Sequence, residues 1–210
     1  MPSPDATRSG IDGGANGHDG NGGDGHNGKS PHRPETPTAK IGMWLFAGSL
    51  AMIFAALAAW YGYRLDDKPN YYFPWPPSLW VSTLAIVAST FTLWLAQRSA
   101  KKGRMSASLL NLRLTLFLGW VFVLSQFVAW LLLRQAGFYA TSNPFAGLFY
   151  VLTSVHAFHM IFGVGWLIYM FYLVKLGHLT SKRLLPLELF SIYWHLMTGV
   201  WIVFFTLIVI

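Results

Sequence analysis

Few residues in this chain are equipped for chemistry, and the most informative set lies near its end. Glu188 precedes Tyr193-Trp194-His195, which runs on into Met197-Thr198-Gly199-Val200-Trp201. A carboxylate and a histidine thus interrupt the apolar run Leu184–Ile210, which is long enough to cross a bilayer. Ionisable groups at such depth are costly, so each one marks a function or a partner. Upstream, His156 and His159 share one helix face at i, i+3. Glu188 and His195, a heptad apart, share another. Three chemistries suit this set. Imidazoles on facing helices could hold a metal or haem, although two histidines on one helix cannot supply opposed axial ligands. The same groups could relay protons. They could also form a hydrogen-bonded packing cluster between helices that meets lipid headgroups. Gly163 and Gly165 on one helix and Gly199 on the other allow close backbone approach, which favours the packing reading.

The elements that position these residues follow from composition. The chain has 210 residues, 54% hydrophobic and 11% charged, against about 25% charged in soluble domains. Five long apolar runs follow Lys40: Ile41–Tyr63, Leu79–Gln97, Leu112–Leu133, Phe145–Val174 and Pro186–Ile210. Each is near or above the ~20 residues that span ~30 Å as a helix. The segments Lys68-Pro69-Asn70 and Pro74-Trp75-Pro76-Pro77 cannot continue a helix; Asn143-Pro144 opens the fourth run and Pro186 the fifth. The expected fold is an all-α, five-helix membrane bundle. Within its spans the groups expected to titrate are His156, His159, Glu188 and His195. If the last two helices are antiparallel neighbours, the three histidines lie at similar depths near mid-membrane, with Glu188 nearer the cytoplasm.

Loop charge sets orientation. The second loop carries Arg98, Lys101, Lys102 and Arg104, and the fourth carries Lys175, Lys182 and Arg183. In the first, Arg64 and Lys68 balance Asp66 and Asp67, and the third has only Arg134. The positive-inside rule then puts the N-terminus in the cytoplasm and Ile210 outside. The same distribution explains the net charge of +7 by topology, and no nucleic-acid partner is expected. Residues 1–40 form a separate tail whose Gly-, Asn- and Asp-rich stretch Gly10–Gly28 is expected to be disordered. His18, His26 and His32 in it read as part of a solvated tail, with weak metal capture the rival. The start of the chain does not read as a cleaved signal peptide. Cysteine is absent, so thiolate metal sites and a catalytic thiol are excluded. No phosphate loop, Ser/His/Asp set, H-E-x-x-H pattern or internal repeat is present, which argues against a hydrolase and an inverted-repeat transporter. Trp44, Trp60, Trp75, Trp80 and Trp94 read as interfacial belt residues. Ser125 and Gln126 are expected to hydrogen-bond a neighbouring helix.

Three motifs in order resemble subunit III of the haem–copper oxidases, the cytochrome c and quinol oxidase family. They are Gly42-Met43-Trp44-Leu45-Phe46 in the first helix, His156-Ala-Phe-His159 followed by Gly163 in the fourth, and Glu188 ahead of Tyr193-Trp194-His195 in the fifth. The resemblance covers residues 41–210 and looks like the five-helix bacterial form. Two family features are missing: the buried glutamate after the serine of the first helix is Leu50 here, and the Asp three residues after the last-helix His is Thr198. The resemblance implies a non-catalytic accessory subunit of a respiratory oxidase in the bacterial inner membrane. It would carry no cofactor of its own, with haem and copper on partner subunit I, subunit II alongside as a further partner, and phospholipid bound. Gly42, Trp44 and Phe46 would be its first-helix signature. His156, His159, Glu188, Tyr193, Trp194 and His195 would form a structural, lipid-contacting cluster. Two alternatives stay open: an accessory protein of a bacterial nitric oxide reductase, and a membrane redox protein with haem or metal on His156, His159 and His195.

Overall fold

The computed structural model describes residues 37–63, 76–142, 144–179 and 184–209. They form five α-helices: α1 (Pro37–Tyr63), α2 (Ser78–Lys101), α3 (Met105–Gln135), α4 (Pro144–Lys175) and α5 (Leu185–Val209). No strand occurs among the described residues. All five helices are long and apolar enough to cross a membrane. The Gly10–Gly28 tail with His18, His26 and His32 lies outside the described residues, as do Arg64, Asp66, Asp67, Lys68-Pro69-Asn70, Pro74-Trp75, Asn143, Lys182, Arg183 and Ile210.

The helices outrun the apolar segments that predict them. α1 starts at Pro37, four residues before Ile41, and so includes Lys40. α3 starts at Met105, seven residues before Leu112. A helix satisfies its own backbone whether its side chains meet lipid or water, so apolarity marks the bilayer crossing and not the helix end. α3 also holds Arg113, an ionisable residue missing from the expected set of four.

Buried positions recur at alternating steps of three and four. The series is Met43, Ala47, Leu50, Phe54 and Tyr61 in α1, and Leu79, Ser82, Ile86, Ser89, Leu93, Ala96 and Ala100 in α2. α3 repeats it through Ser108, Leu112, Thr115, Phe122, Gln126, Ala129 and Leu133, and α5 through Leu187, Phe190, Trp194, Met197, Trp201, Phe204 and Ile208. That 3.5-residue average is the period of left-handed bundle packing. α2 and α3 pack together most extensively. The buried face of α2 includes Ser82, Ala85, Ser89, Ala96 and Ala100, small residues that let helices approach closely where lipid supplies no hydrophobic driving force. The tight α2–α3 turn needs Gly103, whose φ of 73° a side chain rarely adopts. α5 is the hub, touching α1, α2 and α4 along its length.

Candidate functional site

His156 sits where four helices meet. Its ring is fully buried and lies 5.2 Å from Trp201, 5.7 Å from Phe122, 6.0 Å from Phe54 and 6.1 Å from Phe204, centroid to centroid. Neither imidazole nitrogen meets a hydrogen-bond partner among the described residues. One turn along α4, His159 Nδ1 lies 2.8 Å from the Val155 carbonyl, and its ring edges Phe54 at 5.3 Å. A carbonyl only accepts, so Nδ1 carries the proton. The Tyr193 hydroxyl donates to the His159 carbonyl at 2.8 Å, tying α5 to α4.

Trp194 and Trp201 carry much of the remaining order. Trp194 Nε1 donates to Ser89 Oγ at 3.0 Å, and Trp201 Nε1 donates to Thr83 Oγ1 at 3.0 Å. Both indoles are fully buried, where an unpaired N–H would be costly. The Trp194 ring fills a slot cut by two glycines. A Cβ on Gly119 would meet it at 3.1 Å, and one on Gly163 would meet Tyr193 at 3.0 Å and Trp194 at 3.3 Å. Gly163 therefore does allow the close approach expected of it. Gly165 and Gly199 face open space and do not.

The structure separates Glu188 from the histidines. Its carboxylate pairs with Lys40 Nζ at 2.7 Å and Lys101 Nζ at 3.2 Å, joining α5 to α1 and α2 at one end of the bundle. Glu188 and His195 share a face but lie about 10 Å apart along the axis. The first turn of α5 also favours a carboxylate through the helix dipole. His195 is half-buried and makes no hydrogen bond or ring contact among the described residues. Gly42, Trp44 and Phe46 point outward; the inward residues of that stretch are Met43 and Ala47. Trp44, Trp60, Trp80 and Trp94 are exposed along the lipid-facing surface. Gln126 Nε2 donates across to Ser82 Oγ at 2.9 Å, but Ser125 turns back to the Val121 and Phe122 carbonyls of its own helix.

Several interhelical contacts have only a weak signal in the sequence. Ser82, Thr83, Ser89, Thr90 and Thr92 place five hydroxyls along one apolar span. All five reach other helices directly: besides the two indoles, Thr90 pairs with Thr198 at 2.7 Å and Thr92 with Thr115 at 2.8 Å. Ser82 completes the set by receiving Gln126.

This arrangement holds helices together; it does not assemble a ligand set. No group of three or more His, Asp or Glu side chains converges on a metal position among the described residues. A haem or metal on His156, His159 and His195 is not favoured, because aromatic rings enclose the first and the third touches neither of the others.

Comparison with known proteins agrees with this architecture. The family model described as cytochrome c oxidase subunit III matches residues 32–210. Cytochrome c oxidase subunit 3 of Alkalihalophilus pseudofirmus is 25% identical over 190 residues, covering 85% of this chain and 91% of the relative. Cytochrome bo(3) ubiquinol oxidase subunit 3 of Buchnera aphidicola is 29% identical over 175 residues, covering 80% and 89%. Quinol oxidase subunit 3 of Bacillus spizizenii is 27% identical over 175 residues, covering 79% and 83%. With five membrane-crossing helices and bacterial relatives of this kind, the protein is a multi-pass component of a bacterial inner membrane. The match spans the whole described bundle, and the chain belongs to the cytochrome c oxidase subunit III family.

Proposed function

We propose that the chain is a non-catalytic accessory subunit of a haem–copper terminal oxidase, seated against subunit I, with subunit II in the same complex. The observation that carries this reading is the family match over residues 32–210. The bundle interior supports it, since Gln126, Trp194 and Trp201 spend N–H groups on the hydroxyls of α2 and aromatic rings surround His156. Haem and copper then belong to the partner subunits, and this chain contributes assembly, bound phospholipid and sustained proton-coupled oxygen reduction. Its relatives include subunits named for cytochrome c oxidase and for quinol oxidase, so choice of electron donor would rest with the partners. A nitric oxide reductase partnership is not favoured by these relatives. We further propose that the N-terminus is cytoplasmic, and that His156, His159, Tyr193, Trp194 and His195 are structural. Glu188 joins them as an ion-paired end staple.

Affinity purification through a tag on this chain, in mild detergent, tests the reading. The expected product is a complex with a large multi-span subunit and haem bands in the reduced-minus-oxidised spectrum. Separated from its partners, the chain should be colourless. A coloured isolated chain would overturn the reading, as would a chain that purifies without any haem protein.

A further inference from the structure

α5 has one open side. It packs against α1, α2 and α4; α1 also meets α4, and α3 bridges α2 and α4, but α1 and α2 share no extensive contact. A groove therefore runs between α1 and α2, with α5 as its floor. Lys40 and Lys101 reach Glu188 from the two walls and close one end of it. α1 and α5 run in the same direction, since Lys40 pairs with Glu188 there and Phe54 meets Phe204 further on, ring centroids 5.6 Å apart. The floor is the stripe Glu188, Ile192, His195, Gly199, Ile202 and Thr206, spaced by alternate steps of four and three, and none of these residues is buried.

Three features of this groove suit a helix. His195 stands in the floor about 10 Å along the axis from Glu188, half-buried and with no hydrogen-bond partner among the described residues. Gly199, one turn on, and Gly48 on the α1 wall leave open space, since a Cβ on either would meet nothing within 4 Å. By the register of the Lys40–Glu188 and Phe54–Phe204 contacts, Gly48 lies level with the turn between His195 and Gly199. Further along, Ala51, Ala55 and Ala58 of α1 and Val200, Val203 and Phe204 of α5 line an apolar cavity of about 140 Å³. A cavity of about 150 Å³ accommodates a benzene ring, so this one has room for a single large apolar side chain.

We propose that the α1–α2 groove receives a membrane-spanning helix of a partner chain, which hydrogen-bonds His195 and seats an apolar side chain in the cavity. An acyl chain could fill the cavity but offers the imidazole no partner, and polar groups at this depth need one from protein. Glycines on floor and wall let a helix backbone approach closely. The bundle already follows this rule inside itself, where Gln126, Trp194 and Trp201 each reach a hydroxyl on another helix. His195 and Val203 are eight positions apart, about 12 Å of helix. The occupant therefore carries a polar side chain and a large apolar one about two turns apart. The inference deepens the accessory-subunit reading by naming the face its partner uses, and rests on it for the existence of a partner.

The test is photo-crosslinking of the full chain in native membranes. A photoreactive phenylalanine analogue is placed at Ile202 in the floor or, as a control, at the exposed Phe117 on the outer face of α3. Position 202 should join to a membrane-spanning peptide that carries a polar side chain about two turns from the attachment point. Position 117 should not join to that peptide. His195→Leu keeps the bulk and removes the hydrogen bond, and Gly199→Leu blocks close approach; each should cut the adduct yield several-fold. His195→Gln should keep most of it. No adduct, adducts to lipid alone, or adducts to a second copy of this chain overturn the proposal, as does a protein adduct indifferent to both leucine substitutions. The accessory-subunit reading fails separately, if the tagged parent purifies without a haem protein. A mapped helix at position 202 would then still uphold the groove, with a partner of another kind.

Discussion

At His156 the packing reading reduces to one side chain. An imidazole with both nitrogens unpaired forgoes hydrogen bonds it would make in water, a loss of about 1–3 kcal/mol per buried group. Shape and aromatic contact therefore keep it in place, and a leucine of similar bulk should serve. His156→Leu is expected to leave the apparent melting temperature of the purified complex unchanged or raise it. A drop of several degrees would mean that an imidazole nitrogen finds a partner in the assembled complex. The glycines give a second comparison. Gly163→Ala must displace Tyr193 or Trp194, and overpacking of that kind costs about 1–3 kcal/mol. Gly165→Ala, two residues on and facing the other way, meets nothing within 4 Å and gains helix propensity. Thermal scans of the two variants side by side should thus show only Gly163→Ala destabilised; equal behaviour would refute the slot.

Between elements the contacts divide into two kinds. Mid-span, the hydroxyls of α2 receive indole N–H groups from α5, and each removes a buried donor that lipid could not satisfy. At the bundle end, Glu188 bridges α1 and α2 through Lys40 and Lys101, whose side chains are 48% and 58% exposed. Exposed pairs contribute little, at most about 1 kcal/mol, and salt screens them. Glu188→Gln should accordingly cause a small loss of stability at low ionic strength that disappears in roughly 1 M salt, where the Debye length is ~3 Å. The haem spectrum of the assembled complex should not change. If the deficit persists undiminished at high salt, the staple is not electrostatic. Tighter coupling is expected from Trp194 than from Glu188, because the indole is sealed on all sides.

For the whole molecule, the proposed orientation follows from the basic residues at one end. The chain contains no cysteine, so single cysteines can be introduced on a silent background. A membrane-impermeant maleimide applied to intact cells should label Ala140→Cys and spare Lys102→Cys until the membrane is opened; the reverse pattern would invert the topology. Composition and run length already determined that the chain makes five spans, because ~20 apolar residues have no other stable way to satisfy a backbone in lipid. The three motifs likewise pointed to the family before any coordinates. What they could not yield was which side of each helix faces inward. In a bilayer the outside is as apolar as the core, so Phe54 at 1% exposure and Phe46 at 52% look alike in sequence. Only small and hydroxyl residues leave a trace, and on α2 that trace was legible. Glu188 shows the same limit from the polar side. Its heptad spacing to His195 was visible, but its partners come from α1 and α2, remote in sequence, and only tertiary packing could bring Lys40 and Lys101 to it.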